Sequence, residues 1–374
     1  MSGDSYIICP KEVCTGCGLC AYVCRHSAIS LQIDKYGFKY PRVNNSLCIN
    51  CGLCRKKCPS LSQLTNNYPI KAYACYNIND NERKKSSSGG IGYLIAQDII
   101  MSKGVVYGCA FTPPWGIQHI RCTSVNEIAR LRGSKYVQSD VSNIYESIKK
   151  DLSESKKVLF IGTPCQVAGI KTAFPKTTYL YLIDIICHGT PSLQFLKETL
   201  PQVNGCIKNM KFRDGIHYRF SLESISGVEL LSRNLGNDMY MKGFFNGTTF
   251  RPNCYSCQYA KQQRISDITI GDFWGLKSEL IKDVKKGVSL ALINTKEGEM
   301  LFNQCKDHMF TEMRPLDEAY AGNDQLNHPF KKSFRTSIFR YLYPKLGYNK
   351  ALWCALPDKV LIMKLRHLLK NNSE

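Results

Sequence analysis

The chain of 374 residues contains no apolar run close to the roughly 18 to 20 residues that a membrane-spanning helix needs. Its first residues are not a basic segment followed by an apolar one, so we expect no secretory leader. It also lacks a Gly-x-Gly-x-x-Gly fingerprint, which argues against a dinucleotide bound on an ordinary Rossmann turn. These absences predict a cytoplasmic protein whose thiols stay reduced.

Acidic residues are scarce, with 30 Asp and Glu against 50 Lys and Arg and a formal charge of +20. This charge predicts a negatively charged partner, and the candidates are an acidic ferredoxin, an anionic cofactor and anionic lipid. Nucleic acid is not expected, because the basic residues are spread along the chain and form no recognisable nucleic-acid-binding motif.

Cysteine, in contrast, is abundant, and eight of the 19 cysteines form two copies of one four-cysteine motif, here called the ladder. The pattern Cys-x2-Cys-x2-Cys-x3-Cys begins at Cys14 and again at Cys48. Two-residue spacers let three neighbouring sulfurs reach one cubane cluster, whereas the fourth thiol of each run ligates the other cluster. The two predicted [4Fe-4S] ligand sets are Cys14, Cys17, Cys20 and Cys58, and Cys48, Cys51, Cys54 and Cys24.

This ladder is typical of a bacterial two-cluster ferredoxin, and two alternatives compete with that interpretation. Zinc knuckles use Cys-x2-Cys pairs but do not require the triple run. A disulfide framework requires an exported chain. Arg25 stands where the motif usually has proline, which loosens a turn without removing a ligand. Cys9 lies outside the ladder and is interpreted as a structural or incidental thiol.

Residues 61 to 70 are polar and are interpreted as a linker, and a second domain begins near Lys71 with a strand over 72–76. The run from Ser86 to Gly90 then precedes an apolar pattern of helical spacing that starts at Ile91. Hydroxyls, glycines and free backbone N–H groups at a helix start favour a phosphate or the polar edge of a flavin. A simple helix N-cap is the alternative.

Two strand-helix units each place a cysteine at the end of a strand. Strand 158–162 leads into Cys165, and strand 179–186 leads into Cys187. If these strands are parallel neighbours, both thiols emerge at the carboxyl edge, where open α/β sheets bind ligands. With Cys254 and Cys257 they form a candidate set for a third cubane. Seven thiols remain unassigned: Cys9, Cys75, Cys109, Cys122, Cys206, Cys305 and Cys354.

The last segment, residues 331–374, holds ten Lys or Arg interleaved with aromatic residues. A helix is predicted over Asp358 to Leu369, with apolar and basic residues side by side. Such a segment either lies on an anionic membrane surface or docks on the protein itself, and docking is the preferred interpretation.

Several short motifs together resemble the beta subunit family of coenzyme F420 hydrogenases and dehydrogenases, in the form that carries a fused N-terminal ferredoxin. They occur in family order over about residues 70 to 275. The matching residues are Ser87-Ser88-Gly89-Gly90, Gly133-Ser134-Lys135-Tyr136, Gly162-Thr163-Pro164-Cys165-Gln166, Cys187-His188-Gly189-Thr190-Pro191-Ser192, Phe212-Arg213-Asp214, Arg251-Pro252-x-Cys254-x2-Cys257 and Asp267-Ile268-x2-Gly271-Asp272.

The resemblance implies an α+β fold in which a two-cluster ferredoxin domain (1–65) precedes an α/β-type flavin and iron-sulfur domain (70–330) and a basic extension (331–374). It implies that Cys165, Cys187, Cys254 and Cys257 hold a third [4Fe-4S] cluster and that FAD is bound. The implied cofactor contacts are Ser87, Ser88, Gly89, Gly90, Ser134, Lys135, Tyr136, Thr163 and Gln166. Lys135 is the candidate for holding an anionic substrate or a charged flavin, and His188 is the candidate proton donor.

The predicted function is that of an iron-sulfur flavoprotein oxidoreductase. The alternative is an electron-transfer subunit that feeds a partner enzyme and does no substrate chemistry itself. Family relatives include proteins linked to surface polysaccharide synthesis, so the resemblance alone does not identify the substrate. The two candidate redox partners are coenzyme F420 and a ferredoxin. The +20 charge suits the anionic tail of coenzyme F420 and an acidic ferredoxin equally well. We favour ferredoxin-fed reduction of an organic substrate such as a glycan precursor, because the basic aromatic tail resembles an attachment to a partner or membrane site.

Overall fold

The computed structural model describes residues 7–62, 64–175, 177–201 and 206–363. The helices are α1 Leu19–Tyr22, α2 Leu53–Lys56, α3 Asp80–Lys84, α4 Ile91–Met101, α5 Val125–Ile128, α6 Tyr145–Ser153, α7 Pro164–Ala173, α8 Leu193–Thr199, α9 Met239–Phe245, α10 Lys296–Gln304, α11 Leu316–Ala321 and α12 Phe334–Ala355. The strands are β1 Ile29–Ile33, β2 Lys39–Val43, β3 Lys71–Asn77, β4 Val105–Thr112, β5 Gly116–Cys122, β6 Val158–Gly162, β7 Leu180–Ile185, β8 Ile207–Lys211, β9 Arg219–Ser224, β10 Glu229–Asn234, β11 Ile268–Asp272, β12 Ser289–Ile293 and β13 Met309–Arg314.

The N-terminal module is small and poor in helix, as its sequence predicts. Helices α1 and α2 have four residues each, and both begin after a glycine with positive φ, Gly18 at +79° and Gly52 at +70°. Strands β1 and β2 pair antiparallel between the two cysteine runs. The short helices therefore turn each run so that its spaced thiols lie on one loop.

A mixed eight-stranded sheet forms the centre of the larger domain, in the order β13-β3-β12-β11-β7-β6-β4-β5. Strands β11, β7, β6 and β4 are parallel neighbours, as predicted for β6 and β7. In β6, Leu159 packs with residues of α4 and α10, whereas Phe160 packs with residues of α6 and α7. Helices thus cover both faces, which explains why this strand is almost wholly apolar.

A second sheet, β10-β9-β8, is antiparallel and was not predicted from the sequence. With α8, α9 and α12 it encloses an aromatic core in which Phe195 contacts the rings of Phe339 and Tyr343. Helix α12 bends at Gly347, whose φ is +72°. The described part of the basic extension, residues 331–363, therefore packs on the protein through buried aromatic side chains. Residues 357–363 are helical, and the rest of the helix predicted over 358–369 lies outside the described residues.

The N-terminal module is fixed to the larger domain by buried hydrogen bonds. The Tyr145 hydroxyl donates to the Cys17 carbonyl at 2.9 Å, and the Gln138 side-chain amide donates to the Thr15 carbonyl at 2.9 Å. In the predicted linker, Asn67 exchanges two backbone hydrogen bonds with Arg264. No helix in the described part of the chain is long and apolar enough to cross a bilayer.

One core histidine makes the stability of this domain pH-dependent. His119 is fully buried, stacks on Phe160 and bonds through its two ring nitrogens to the Ile161 carbonyl and the Ser139 hydroxyl. Burial lowers its pKa from 6.5 to about 4. As the pH falls from about 6.5 to about 4, the unfolded chain binds a proton that the folded chain does not, so stability falls by roughly 3 kcal/mol.

We therefore expect His119→Gln to flatten the pH dependence of chemical denaturation between pH 6.5 and 4 relative to the wild type. The glutamine amide can still donate to the Ile161 carbonyl, so the variant should fold. The matched control is His308→Gln, which alters an exposed histidine. Equal pH slopes for all three proteins would show that His119 does not carry this dependence.

Candidate functional site

The first predicted ligand set is gathered on one side of the N-terminal module. Burial and the neighbouring Cys17, Cys14 and Cys58 raise the pKa of the Cys20 thiol, so the four sulfurs lie close together. Cys9, which the sequence left unassigned, is buried against two of them. Its thiol hydrogen-bonds to Cys14 and Cys58 and lowers the pKa of Cys14 to about 6 and that of Cys58 to about 7.

The second predicted set lines one cavity at the surface of the module. Cys24, Cys48, Cys51 and Cys54 all contribute to its wall. Cys51 is exposed to solvent, whereas Cys14 and Cys58 of the first set are buried. The two sets therefore differ in access, with the second set at the outer edge and the first set facing the larger domain.

The third predicted set lines a cavity at the carboxyl ends of β6 and β7. Cys165 lies in the first turn of α7, Cys187 follows β7, and Cys254 and Cys257 come from the segment after α9. Burial raises the pKa of Cys165 to about 12 and that of Cys257 to about 11. Thiols held in this way ionise only with a strong positive partner such as iron, so this donor set suits an iron-sulfur cluster.

Arg251 lies between the first and third sets and is 1% exposed. Its guanidinium donates to the carbonyls of Cys14 and Lys39, both at 2.8 Å, and its side chain also lines the cavity of the third set. Within the described residues it forms no ion pair, whereas Arg264 on the same cavity pairs with Asp184 at 2.9 Å. A buried, unpaired cation is costly, so the thiolates beside Arg251 are its natural counter-charge.

Two further residues close the gap between these sets. Thr15, from the loop of the first set, lines the cavity of the third set. Burial and the charges of Cys165 and Cys17 raise the pKa of Tyr259, which places its ring beside thiols of both sets. A Cβ added at Gly169 of α7 would lie 3.2 Å from the Cys17 Cβ. The helix that carries Cys165 therefore packs directly on the first set.

The Ser-Gly-Gly turn packs on β3 and β12 at the start of α4. Gly90 has φ +83° and precedes α4 without any side-chain cap, so the simple N-cap interpretation has no hydroxyl or carboxylate to supply it. A Cβ at Gly89 would lie 2.4 Å from the Cys75 carbonyl oxygen, so packing against β3 also requires this glycine. The Ser87 hydroxyl accepts a hydrogen bond from the Ser134 backbone at 2.9 Å. Two segments of the family motif therefore meet at this turn.

Arg213, which was part of a family motif but was not predicted as a site residue, joins several of these segments. It donates to the Ser87 carbonyl at 2.6 Å, the Tyr136 hydroxyl at 2.8 Å and the Asp272 carboxylate at 3.0 Å. Its sequence signal was its place in Phe212-Arg213-Asp214. Such long-range contacts cannot be inferred from spacing.

Arg132 is a second residue that sequence reasoning missed. The Arg132 guanidinium stacks on the Tyr93 ring, with 3.5 Å between the guanidinium carbon and the ring centre. The same guanidinium forms an ion pair with Glu82. Its Nε and Nη1 atoms are buried and have no hydrogen-bond partner among the residues that the structure describes. Gly133 beside it has φ +79° and open space where a side chain would stand. The result is an ion-paired guanidinium with two unpartnered nitrogen atoms next to the uncapped start of α4.

The remaining predicted site residues are placed as follows. The Lys135 ammonium donates to the carbonyls of residues 130, 131 and 132, and burial lowers its pKa to about 8. Thr163 and Gln166 form a reciprocal cap at the start of α7, and the Gln166 amide also donates to Ser139. His188 is exposed and lines the cavity of the third set. The bonds of Thr163 and Gln166 are all within the protein.

All 19 cysteines are free thiols. Within the described residues, no group of three or more His, Cys, Asp or Glu side chains converges tightly enough for a single metal ion. A cubane spreads its four sulfur ligands more widely than one ion does.

Comparison with known proteins gives matches to both parts of the chain. Residues 155–319 match the family model that describes the C terminus of the beta subunit of coenzyme F420 hydrogenase/dehydrogenase. Residues 13–61 match a 4Fe-4S dicluster domain. An uncharacterized ferredoxin of Methanocaldococcus jannaschii is 34% identical over 79 residues, which is 21% of this chain and 95% of that protein.

A solved structure also resembles the chain, namely one chain of the xenon-derivatised F420-reducing [NiFe] hydrogenase complex from Methanosarcina barkeri. The TM-score is 0.48 at 18% identity, over 70% of this chain and 87% of that one. The motifs from Gly162 to Asp272 lie within the matched range 155–319, whereas those at 87–90 and 133–136 precede it. The chain thus contains a domain of the coenzyme F420 hydrogenase/dehydrogenase beta subunit family (155–319) and an N-terminal 4Fe-4S dicluster domain (13–61).

Proposed function

We propose that the chain is an iron-sulfur flavoprotein oxidoreductase with three [4Fe-4S] clusters and one FAD. The ferredoxin domain (1–65) would hold two clusters on the predicted cysteine sets, and the larger domain (70–330) would hold the third on Cys165, Cys187, Cys254 and Cys257. The tail (331–374) would brace the larger domain. The observation that carries this proposal is Arg251, a buried cation without a carboxylate partner in the described chain, held between two sets of thiols.

The order of the sites along the molecule supports an electron path. The exposed set with Cys51 lies at one end, followed by the buried set with Cys14, and Arg251, Thr15 and Tyr259 separate that set from the third. His188 lines the cavity of the third set, and its pKa is influenced by the nearby charges of Asp272 and Arg213. Arg213 then reaches Ser87 at the turn before α4.

Two features of the turn before α4 support a site for a flavin dinucleotide. The uncapped helix start offers backbone N–H groups to a phosphate, and Arg132 offers two unpartnered N–H groups beside it. Arg213 holds Ser87, Tyr136 and Asp272 in one arrangement. When bound, FAD would supply the exchange between single electrons and electron pairs. Lys135 would then hold an anionic group of the substrate, and His188 would donate a proton to it.

The test of the flavin site is Arg132→Met, which removes the unpartnered N–H groups and keeps the length of the side chain. We expect the Kd for FAD, measured by titrating the flavin-free protein, to rise by about 10- to 100-fold, since a hydrogen bond to a charged group contributes about 1.5 to 3 kcal/mol. Arg219→Met is the matched control, because Arg219 is exposed on β9. An unchanged Kd in Arg132→Met would remove Arg132 from the flavin site.

The organic or deazaflavin substrate is tested by turnover of the isolated chain. We expect the chain alone to oxidise or reduce a two-electron substrate, either coenzyme F420 or a glycan precursor, with an artificial one-electron mediator. A chain that exchanges electrons with the mediator but turns over no substrate would instead be an electron-transfer subunit for a partner enzyme.

A further inference from the structure

The N-terminal module carries a clear excess of positive charge in the residues that the structure describes. The described residues 7–62 contain eight Lys and Arg but only Glu12 and Asp34 as acids. Cations near the larger domain are engaged within the protein: Lys39 pairs with Asp140, and Lys11 lies over the Tyr40 ring at 5.3 Å. Lys35 lies over the Tyr36 ring and Arg55 donates to the Ile7 carbonyl, and three of the other cations surround the second cysteine set.

At that outer edge, Arg25, Lys56 and Lys57 are exposed. None of the three forms an ion pair with any residue that the structure describes. Arg25 lines the same cavity as Cys24, Cys48, Cys51 and Cys54. Lys56 and Lys57 end the short helix that carries Cys54. Positive charge thus surrounds the most accessible thiols of the module.

Apolar side chains lie within the same surface. Ile49, between two predicted cluster ligands, is 62% exposed, and Leu47, just before Cys48, is 49% exposed. An apolar centre with a charged rim is the usual composition of a protein interface, and small interfaces of this type suit transient redox encounters. We call this surface, formed by Arg25, Leu47, Ile49, Cys51, Lys56 and Lys57, the outer edge of the module.

We propose that the outer edge is the docking site of an acidic one-electron carrier protein. This proposal rests on the proposed function, because it needs a cluster on Cys24, Cys48, Cys51 and Cys54. In each encounter the reduced carrier loses one electron, and the site behind the outer edge gains it, so two encounters supply one two-electron reduction. A hydride donor would instead need the proposed flavin at the turn before α4, where Arg213 holds Ser87.

The experiment mixes the anaerobic, cluster-loaded full chain with a reduced acidic bacterial two-cluster ferredoxin and follows electron transfer by stopped-flow absorbance over a range of salt. For the wild type we expect the second-order rate constant to fall steeply as salt rises. For Arg25→Glu/Lys56→Glu/Lys57→Glu we expect a rate at least about tenfold lower at low salt, with a flat or inverted salt dependence. At high salt the two rates should converge.

The matched control is Lys282→Glu/Lys285→Glu/Lys306→Glu, which makes the same charge change at exposed lysines far along the chain. It should keep nearly the wild-type rate and salt dependence, apart from the effect of net charge. If the variant with three glutamates does not bind iron, the charge-neutralising variant Arg25→Gln/Lys56→Gln/Lys57→Gln is used in its place. If the outer-edge variants and the control variant have equal rate constants, the outer edge is not the docking site.

The failure of docking and the failure of the proposed function give different results. If wild-type protein with full iron content is reduced by ferredoxin but the outer-edge variants behave like the control, only the docking site is wrong. If the wild-type chain carries no iron-sulfur absorbance, the proposed function is wrong as well. A wild-type rate that does not depend on salt would exclude electrostatic docking at any surface of the chain.

Discussion

Cys254→Ser is expected to stop flavin reduction by reduced ferredoxin while leaving the ferredoxin domain able to accept electrons. Cys254 lines the cavity of the third set together with Cys165, Cys187 and Cys257. Without this ligand the chain should lose about a third of its iron, from about 12 to about 8 atoms. Because the third set lies between Arg251 and His188, the electron path would end at the first set. Iron analysis and anaerobic stopped-flow absorbance measure both effects.

Cys354→Ser is the matched control, because Cys354 is an exposed thiol outside every predicted set. It should keep its iron and its rate of flavin reduction. A Cys254→Ser protein with reduced iron but an unchanged flavin rate would show that electrons bypass the third set. One with unchanged iron would remove Cys254 from the ligands.

Arg251→Gln is expected to weaken the attachment of the ferredoxin module and to make the neighbouring clusters harder to reduce. The substitution removes bonds to the buried carbonyls of Cys14 and Lys39. Unsatisfied buried groups cost about 1 to 3 kcal/mol each, so the loss of both bonds should lower stability by about 2 to 6 kcal/mol. Loss of a buried positive charge also disfavours adding an electron nearby, so the reduction potentials should become more negative.

Arg251→Lys separates the two effects. Lysine keeps the charge but cannot reach both carbonyls with a rigid fork, so stability should fall while the potentials move less than in Arg251→Gln. Thermal loss of cluster absorbance reports stability, and anaerobic titration followed by electron paramagnetic resonance reports potentials. Equal potentials in wild type and Arg251→Gln would mean that Arg251 is a purely structural residue of the interface.

Local patterns predicted the parts of the fold that depend on local sequence. The apolar run 158–162 became β6 at the expected residues, and β7 is its parallel neighbour, because buried parallel strands are recognisable by continuous apolar character. The ladder placed Cys24 with Cys48, Cys51 and Cys54 on one cavity, since cluster spacing is itself a geometric constraint.

Contacts between distant segments were not predictable in the same way. In the sheet β8-β9-β10 only β9 alternates between buried and less buried residues, and β8 and β10 are short strands of mixed polarity without a clear period. Cys9 reaches Cys14 and Cys58 only once the N-terminal module has folded, and Arg251 reaches a loop more than 200 residues earlier only after the two domains pack. The roles of Arg132 and Arg213 likewise depend on which neighbours they meet or lack. The domain boundaries and ligand assignments stay predictions.

The central claim is that one chain holds three clusters and a flavin, and the cofactor content of the anaerobically purified, fully reconstituted protein tests it most directly. We predict about 12 iron, about 12 acid-labile sulfide and about one FAD per chain, from the cysteine sets around Arg251 and the turn before α4. A content of about 8 iron and no flavin would contradict this claim, because the larger domain would then carry no redox centre.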